Sequence, residues 1–220
     1  NQSLELTVTE PGVIYFTLDG STPSTNSTIY SSAILIENTT TINYFSVDTA
    51  LNEESSKSIS IIIDKDSAIS TSSVLAGIYN SNQSIGLSVN ETADIYFTLD
   101  NSTPTTSSTK FTTNFTLQES AIVTFFSVDL VGNIEQIQSI DIQIDKIAPT
   151  TTASVVSGGY NQNQTVALST DESASIFFSL DGLDPDTNST VYLSPLSVNQ
   201  TSTLKYFSID LAGNSEQIQS

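Results

Sequence analysis

Ile14-Tyr15-Phe16-Thr17-Leu18-Asp19-Gly20-Ser21-Thr22-Pro23 decides the fold, because the stretch returns as Ile95 to Pro104 and, drifted, as Ile176 to Pro185. The period is 81 residues. A second block, Tyr44-Phe45-Ser46-Val47-Asp48, recurs at the same offset as Phe125 to Asp129 and Tyr206 to Asp210. Three copies of one module therefore fill the 220 residues, with no net insertion between the blocks. Alternation at period two puts Ile14, Phe16 and Leu18 on one face and Tyr15 and Thr17 on the other. An Asp-Gly and a Ser/Thr/Pro cluster follow, so the stretch reads as a half-buried strand running into a turn. In the second block Phe45 and Val47 share a face, and the run ends in turn residues such as Asp129-Leu130-Val131-Gly132-Asn133. Repeat one has Leu51 where that glycine stands.

No helical periodicity appears anywhere. Solenoid repeats run at about 20–50 residues, so short strands and turns over 81 residues fit an immunoglobulin-like sandwich better. The expected fold is all-β: three tandem immunoglobulin-like β-sandwich domains in an elongated rod. The boundaries fall at 1–66, 67–147 and 148–220. Asn1 to Val8, Asn82 to Val89 and Asn163 to Thr170 align as strands. A shorter strand precedes the second and third, at Ser72 to Ala76 and Thr152 to Val156, and none precedes the first. The closing strand, Ile59 to Ile63 and Ile140 to Ile144, has no counterpart in repeat three, which reaches Ser220, the equivalent of Ser139. The window is thus out of phase with the domain, as expected of a piece of a longer array or of protomers that exchange strands head to tail. The linkers Asp64 to Ala68 and Asp145 to Thr150 are short, and Pro149 stiffens the second.

Composition excludes several functions. Five lysines and no arginine against 24 acids give a net charge of −19, which repels phosphate backbones and excludes nucleic acid as a partner. There is no His and no Cys, which removes Ser-His-Asp, Cys-His and thiolate-zinc chemistry and any disulfide. Glu53-Glu54 and Asp171-Glu172 are adjacent acids, but neighbours in a strand point to opposite faces. No apolar run reaches the roughly 18 residues of a membrane helix.

The Asp-Gly stretch at 14 to 23 resembles the signature of the chitobiase and β-hexosaminidase C-terminal module. Phe125 to Asn133, with Ile144 to Thr151, is similar to immunoglobulin-like repeats of bacterial and archaeal surface proteins. The resemblance implies a non-catalytic appendage, since the catalytic acids of those glycosidases lie on a separate barrel. It carries over no catalytic residue and no resident cofactor.

Three sets of residues remain as candidate sites. Asp181, Asp184, Asp186 and Asn188 have the alternating oxygen spacing of a calcium loop, without the glycine and distal Glu of an EF-hand. The recurring aspartates Asp19, Asp100 and Asp181, with Asp48, Asp129 and Asp210, read more simply as turn residues. Sequons occur at Asn1, Asn26, Asn38, Asn82, Asn90, Asn101, Asn114, Asn163, Asn188 and Asn199, ten of the sixteen asparagines, and point to N-linked glycans on an extracellular chain. Tyr15 with Tyr44, Tyr96 with Phe125, and Phe177 with Tyr206 form a candidate outward aromatic stripe, able to stack on sugars or on another protomer.

The function these features predict is structural and extracellular: a subunit or segment of a cell-surface array, filament or stalk. Its partners would be other copies of itself, head-to-tail or lateral. A carbohydrate-binding or adhesion module is the alternative.

Overall fold

The structure is a computed structural model describing residues 1–220. Repeat one holds β1 (Gln2–Leu4), β2 (Gly12–Thr17), β3 (Thr28–Ile29), β4 (Ile34–Ile36), β5 (Thr40–Asp48) and β6 (Lys57–Ile61). Repeat two holds β7 (Ser70–Ser72), β8 (Gly77–Tyr79), β9 (Gln83–Ile85), β10 (Leu87–Val89), β11 (Ala93–Thr98), β12 (Thr109–Lys110), β13 (Phe115–Leu117), β14 (Ala121–Asp129) and β15 (Gln138–Ile144). Repeat three holds β16 (Thr151–Ala153), β17 (Gln164–Val166), β18 (Leu168–Thr170), β19 (Ala174–Ser179), β20 (Thr190–Val191), β21 (Leu196–Val198) and β22 (Lys205–Asp210). There is no helix, and the fold is the immunoglobulin-like all-β arrangement.

Repeat two is the fullest. One sheet runs β12-β11-β14-β15-β8, antiparallel except where β8 lies parallel to β15, and the short pairs β13-β9 and β10-β7 face it. Repeat one has β3-β2-β5-β6 and β1-β4, and repeat three has β20-β19-β22, β17-β21 and β16-β18. Repeat three therefore lacks a strand on the far side of β22, and its Gly158-Gly159-Tyr160 segment, which follows β16 as β8 follows β7, forms no strand. In repeat one Leu6 to Val8, the counterpart of β10, stays outside any ladder because no strand lies beside it.

Each repeat closes its own apolar core. In repeat two Ile85, Leu87, Ile95, Leu117, Val123, Phe125 and Ile142 pack together, and Ile85, Val123 and Ile142 are wholly buried. Burying one such side chain is worth about 1.5–3 kcal/mol. Repeat one gathers Leu6, Ile14, Phe16, Ile36 and Ile42; repeat three gathers Val166, Leu168, Ile176 and Tyr206. Ile14 and Phe16 thus face inward as alternation predicts, whereas Leu18 is exposed because it has passed the end of β2 into the turn.

The chain divides into two compact units. Asn1–Ser67 joins Leu130–Asn133, and Ala68–Asp129 joins Ile134–Ser220. Within the first, the Asn133 amide donates to the carbonyls of Asp64 (3.3 Å) and Asp66 (2.9 Å). Within the second, the Asn214 amide donates to the Asp145 carbonyl at 2.9 Å. Each linker is therefore clamped by the asparagine that follows a left-handed glycine, Gly132 (φ 93°) or Gly213 (φ 88°). Repeat one places Leu51 at φ 68° in the same position, a conformation that costs an L-residue about 1–2 kcal/mol.

Candidate functional site

The aromatic stripe exists, but with different partners. In β2 and β5 the register puts Tyr15 opposite Phe45 and Phe16 opposite Tyr44, and directly opposed residues share a face. The outward pairs are therefore Tyr15–Phe45, Tyr96–Phe126 and Phe177–Phe207. They stack with ring centroids 5.5, 5.7 and 5.4 Å apart. Tyr44, Phe125 and Tyr206 are corrected to core residues: Tyr44 packs against the first core, Phe125 is 1% exposed, and Tyr206 belongs to the third core. The sequence suggested the wrong parity because both faces of these strands are covered. Phe45, Phe126 and Phe207 are buried too, so periodicity alone does not reveal which face is the core. On this face Tyr15, Tyr96 and Phe177 are half-buried and offer part of a ring to a ligand.

The recurring aspartates cap turns. Asp19 Oδ1 accepts the Ser21 N–H (3.0 Å) and hydroxyl (2.5 Å), and Asp100 does the same with Ser102. Asp48 accepts from the Ala50 and Asn52 backbones and the Asn52 amide, and Asp210 from both nitrogens of Asn214. The serine hydroxyl holds the Asp19 and Asp100 carboxyls below their usual range, since hydrogen bonds to the charged form favour it.

The calcium-loop candidates are each tied to a local partner. Asp181 accepts the Leu183 N–H, Asp184 pairs with Lys205 Nζ at 2.6 Å, and Asp186 accepts from the Asn188 N–H and Ser189. The acids that do converge are Asp145, Glu172 and Asp210, with carboxylate oxygens within 4.8 Å of one another. Sequence reading missed this group, although Glu172 recurs as Glu10 and Glu91 and Asp145 as Asp64. The chain's ion pairs, Lys57–Glu54, Lys110–Asp94 and Lys205–Asp184, all lie elsewhere. Burial, followed by Asp145, Asp210 and Asp171, pushes the Glu172 carboxyl above the usual carboxylate range.

A raised folded-state pKa means that the folded chain holds the proton more tightly than the unfolded one. Stability is then complete below the unfolded value, about 4.3, and declines as pH rises through the folded one. Glu172→Gln is accordingly expected to melt higher than the native chain at pH 7 and equally at pH 3.5. The gap should shrink in 0.5 M salt as screening takes over; calorimetry at both pH values measures it.

A second set of acids was also missed. Glu135 is 7% exposed and has no cation beside it. It accepts from the backbone N–H and hydroxyl of both Ser70 and Ser127 and from the Gln138 amide. Burial pushes its pKa up, but the bonds from Ser70, Ser127 and Gln138 outweigh burial and hold it below the usual range. Glu216 repeats the arrangement with Thr151 and Ser208. Both carboxylates pin the opening strand of a repeat, β7 or β16, to its central strand, β14 or β22. In repeat one the equivalent Glu54 pairs with Lys57 instead. The 81-residue recurrence of Glu54, Glu135 and Glu216 was the available signal.

All ten sequon asparagines are exposed. No helix is long and apolar enough to cross a membrane.

Tandem immunoglobulin-like modules with turn-capping aspartates define a class of repeated β-sandwich domain. The chain belongs to the chitobiase/beta-hexosaminidase C-terminal domain family, which matches residues 1–58, 74–139 and 155–220. The C-terminal domain of chitobiase is a non-catalytic module, and the family occurs in secreted glycoside hydrolases and is associated with carbohydrate-active enzymes. A comparison with curated proteins gave no match.

Proposed function

We propose that the chain is a non-catalytic, extracellular structural segment whose modules space and link what they are joined to at a cell surface. The observation that carries this reading is the clamped linker. Three repeats each close a core, and Asn133 and Asn214 tie the connecting segments down by hydrogen bonds rather than leaving them free. A module whose polar side chains are spent on turns and linkers is built for spacing rather than turnover. Net charge −19 and ten exposed sequons suit a solvated, glycosylated surface. Array, filament or stalk assembly belongs to the same reading.

Mass spectrometry of the native material tests it. Glycan mass on peptides spanning Asn26, Asn82 and Asn163, recovered from the extracellular fraction, is the expected result. A bare polypeptide recovered with cytosolic proteins overturns it.

One observation favours a second reading, carbohydrate binding: the half-exposed ring of Tyr15, Tyr96 or Phe177 on the same face of every repeat. If this reading holds, a glycan array shows binding that Tyr15→Ala, Tyr96→Ala and Phe177→Ala together abolish. No retained glycan leaves spacing as the function.

A further inference from the structure

The geometry points to β7 as a releasable clasp: the buried Glu135 carboxylate fastens it to repeat two, and protonation of that carboxylate frees residues 68–73 as added tether while the rest of the repeat stays folded. β7 is Ser70-Thr71-Ser72 and brings no side chain to the apolar core. Val74 is the first residue after it to pack there, and marks where release stops. Ile69 is 56% exposed, and Ala68, the buried apolar residue of the segment, offers a single methyl group. What fastens the segment is therefore polar. On one side it forms a two-stranded ladder with β10, from Leu87 opposite Ser72 to Val89 opposite Ser70, and neither strand has a second partner.

On the other side the bonds converge on one carboxylate. Glu135 Oε1 accepts the Ser70 N–H at 2.8 Å and the Gln138 amide, while Oε2 accepts the Ser70 hydroxyl and the Ser127 N–H at 2.9 Å. The Gln138 amide also reaches the Ser70 carbonyl, and the Ser127 hydroxyl the Ala68 carbonyl, both at 2.9 Å. Among the elements packed here, β7 and β10 carry no charged residue, β14 carries Asp129 and β15 carries Asp141. Both are acids, so neither supplies a countercharge. Burial works against the Glu135 charge, and the bonds from Ser70, Ser127 and Gln138 outweigh it.

A protonated carboxyl is a donor on one oxygen. Each Glu135 oxygen faces a backbone N–H, Ser70 on Oε1 and Ser127 on Oε2, and a backbone donor cannot turn round to accept. A proton on either oxygen therefore breaks up the convergence. Ser127 keeps its place in the ladder opposite Ile95, so the loss falls on β7, which has no apolar anchor. Because the bonds outweigh burial, the clasp is complete above the unfolded pKa, about 4.3, and opens as pH falls through the lower folded value. The freed residues 68–73 have a contour of about 20 Å, which lengthens the joint between repeat one and repeat two. The inference rests on the reading of the chain as a spacing segment and adds a control on the spacing.

Hydrogen exchange read by mass spectrometry on the whole chain tests it, at pH 6 and about pH 2.5, with rates corrected for the exchange of an unstructured chain at each pH. Protection of residues 68–73 is expected to fall at least tenfold in acid while Val123, Phe125 and Ile142 keep theirs. Glu135→Gln, which holds an amide donor at the same place at every pH, should leave residues 68–73 weakly protected at pH 6 and remove most of the acid response. Equal loss in the segment and the core overturns the proposal, since the whole repeat would then unfold in acid. Full protection of residues 68–73 at the lower pH overturns it as well. So does an unchanged acid response in Glu135→Gln, which would assign the proton to another acid. The unmodified chain alone decides the first two outcomes, whether or not the variant folds. Glycan mass and the fraction in which the chain is recovered are unaffected, so failure here and failure of the broader reading remain distinguishable.

Discussion

Replacing Glu135 by alanine is expected to be among the most damaging single changes in the chain. The carboxylate accepts from two backbone N–H groups, two hydroxyls and an amide, all drawn from Ser70, Ser127 and Gln138. Removing it leaves the Ser70 and Ser127 N–H groups and the Ser70 hydroxyl without their acceptor, while the Ser127 hydroxyl keeps the Ala68 carbonyl at 2.9 Å, and each buried unsatisfied group costs about 1–3 kcal/mol. A loss of roughly 3 kcal/mol or more follows, which for a module of this size lowers Tm by on the order of 10 °C. Glu135→Gln keeps the shape and one acceptor oxygen and should lose less. The pH dependence separates this mechanism from simple loss of packing. Because the folded pKa is depressed, the contribution is present above the unfolded value, about 4.3, and fades as pH falls through the folded one. The deficit of the alanine variant should therefore be widest at neutral pH and narrow in acid. Hydrogen exchange at the Ser70 and Ser127 amides reports it locally.

The second large effect concerns Phe125. Its ring is 1% exposed within the repeat-two core, and truncating a buried Phe to alanine costs about 3–5 kcal/mol. Tyr96 lies on the opposite face, stacked on Phe126 and half-exposed, and truncation there should cost only about 1 kcal/mol. Denaturant melts of Phe125→Ala and Tyr96→Ala thus test the face assignment. Equal losses, or a larger loss at Tyr96, would restore the outward placement of Phe125 that alternation suggested.

That pair of residues also marks how far the sequence could be read. Repeat length, strand order and the inward Ile14 and Phe16 were legible, because the 81-residue period and the Asp-Gly turn are local signals. Parity in the second block was not: Tyr44-Phe45 and Phe125-Phe126 are apolar on both faces, and only the ladder register separates them. The strand expected at Ser72 to Ala76 was also misplaced, since β7 covers Ser70–Ser72, where Ser70 stands because Glu135 receives it. Such a run carries no hydrophobic pattern. The turn aspartates were read correctly from their recurrence at strand ends, whereas the convergence of Asp145, Glu172 and Asp210 joins residues far apart in sequence and becomes visible only once repeats two and three fold against their shared linker.

The parallel pairing of β8 with β15 has a mechanical consequence. Ile142, Gln143 and Ile144 run beside Gly77, Ile78 and Tyr79 in the same direction, so tension entering through β8 and leaving through β15 drags the strands past each other. Their bonds must then rupture together in shear rather than peel one at a time. Repeat two has this latch, and repeat three, with Gly158 to Tyr160 unladdered, does not. A chain stretched through repeat two would hold until these bonds fail together.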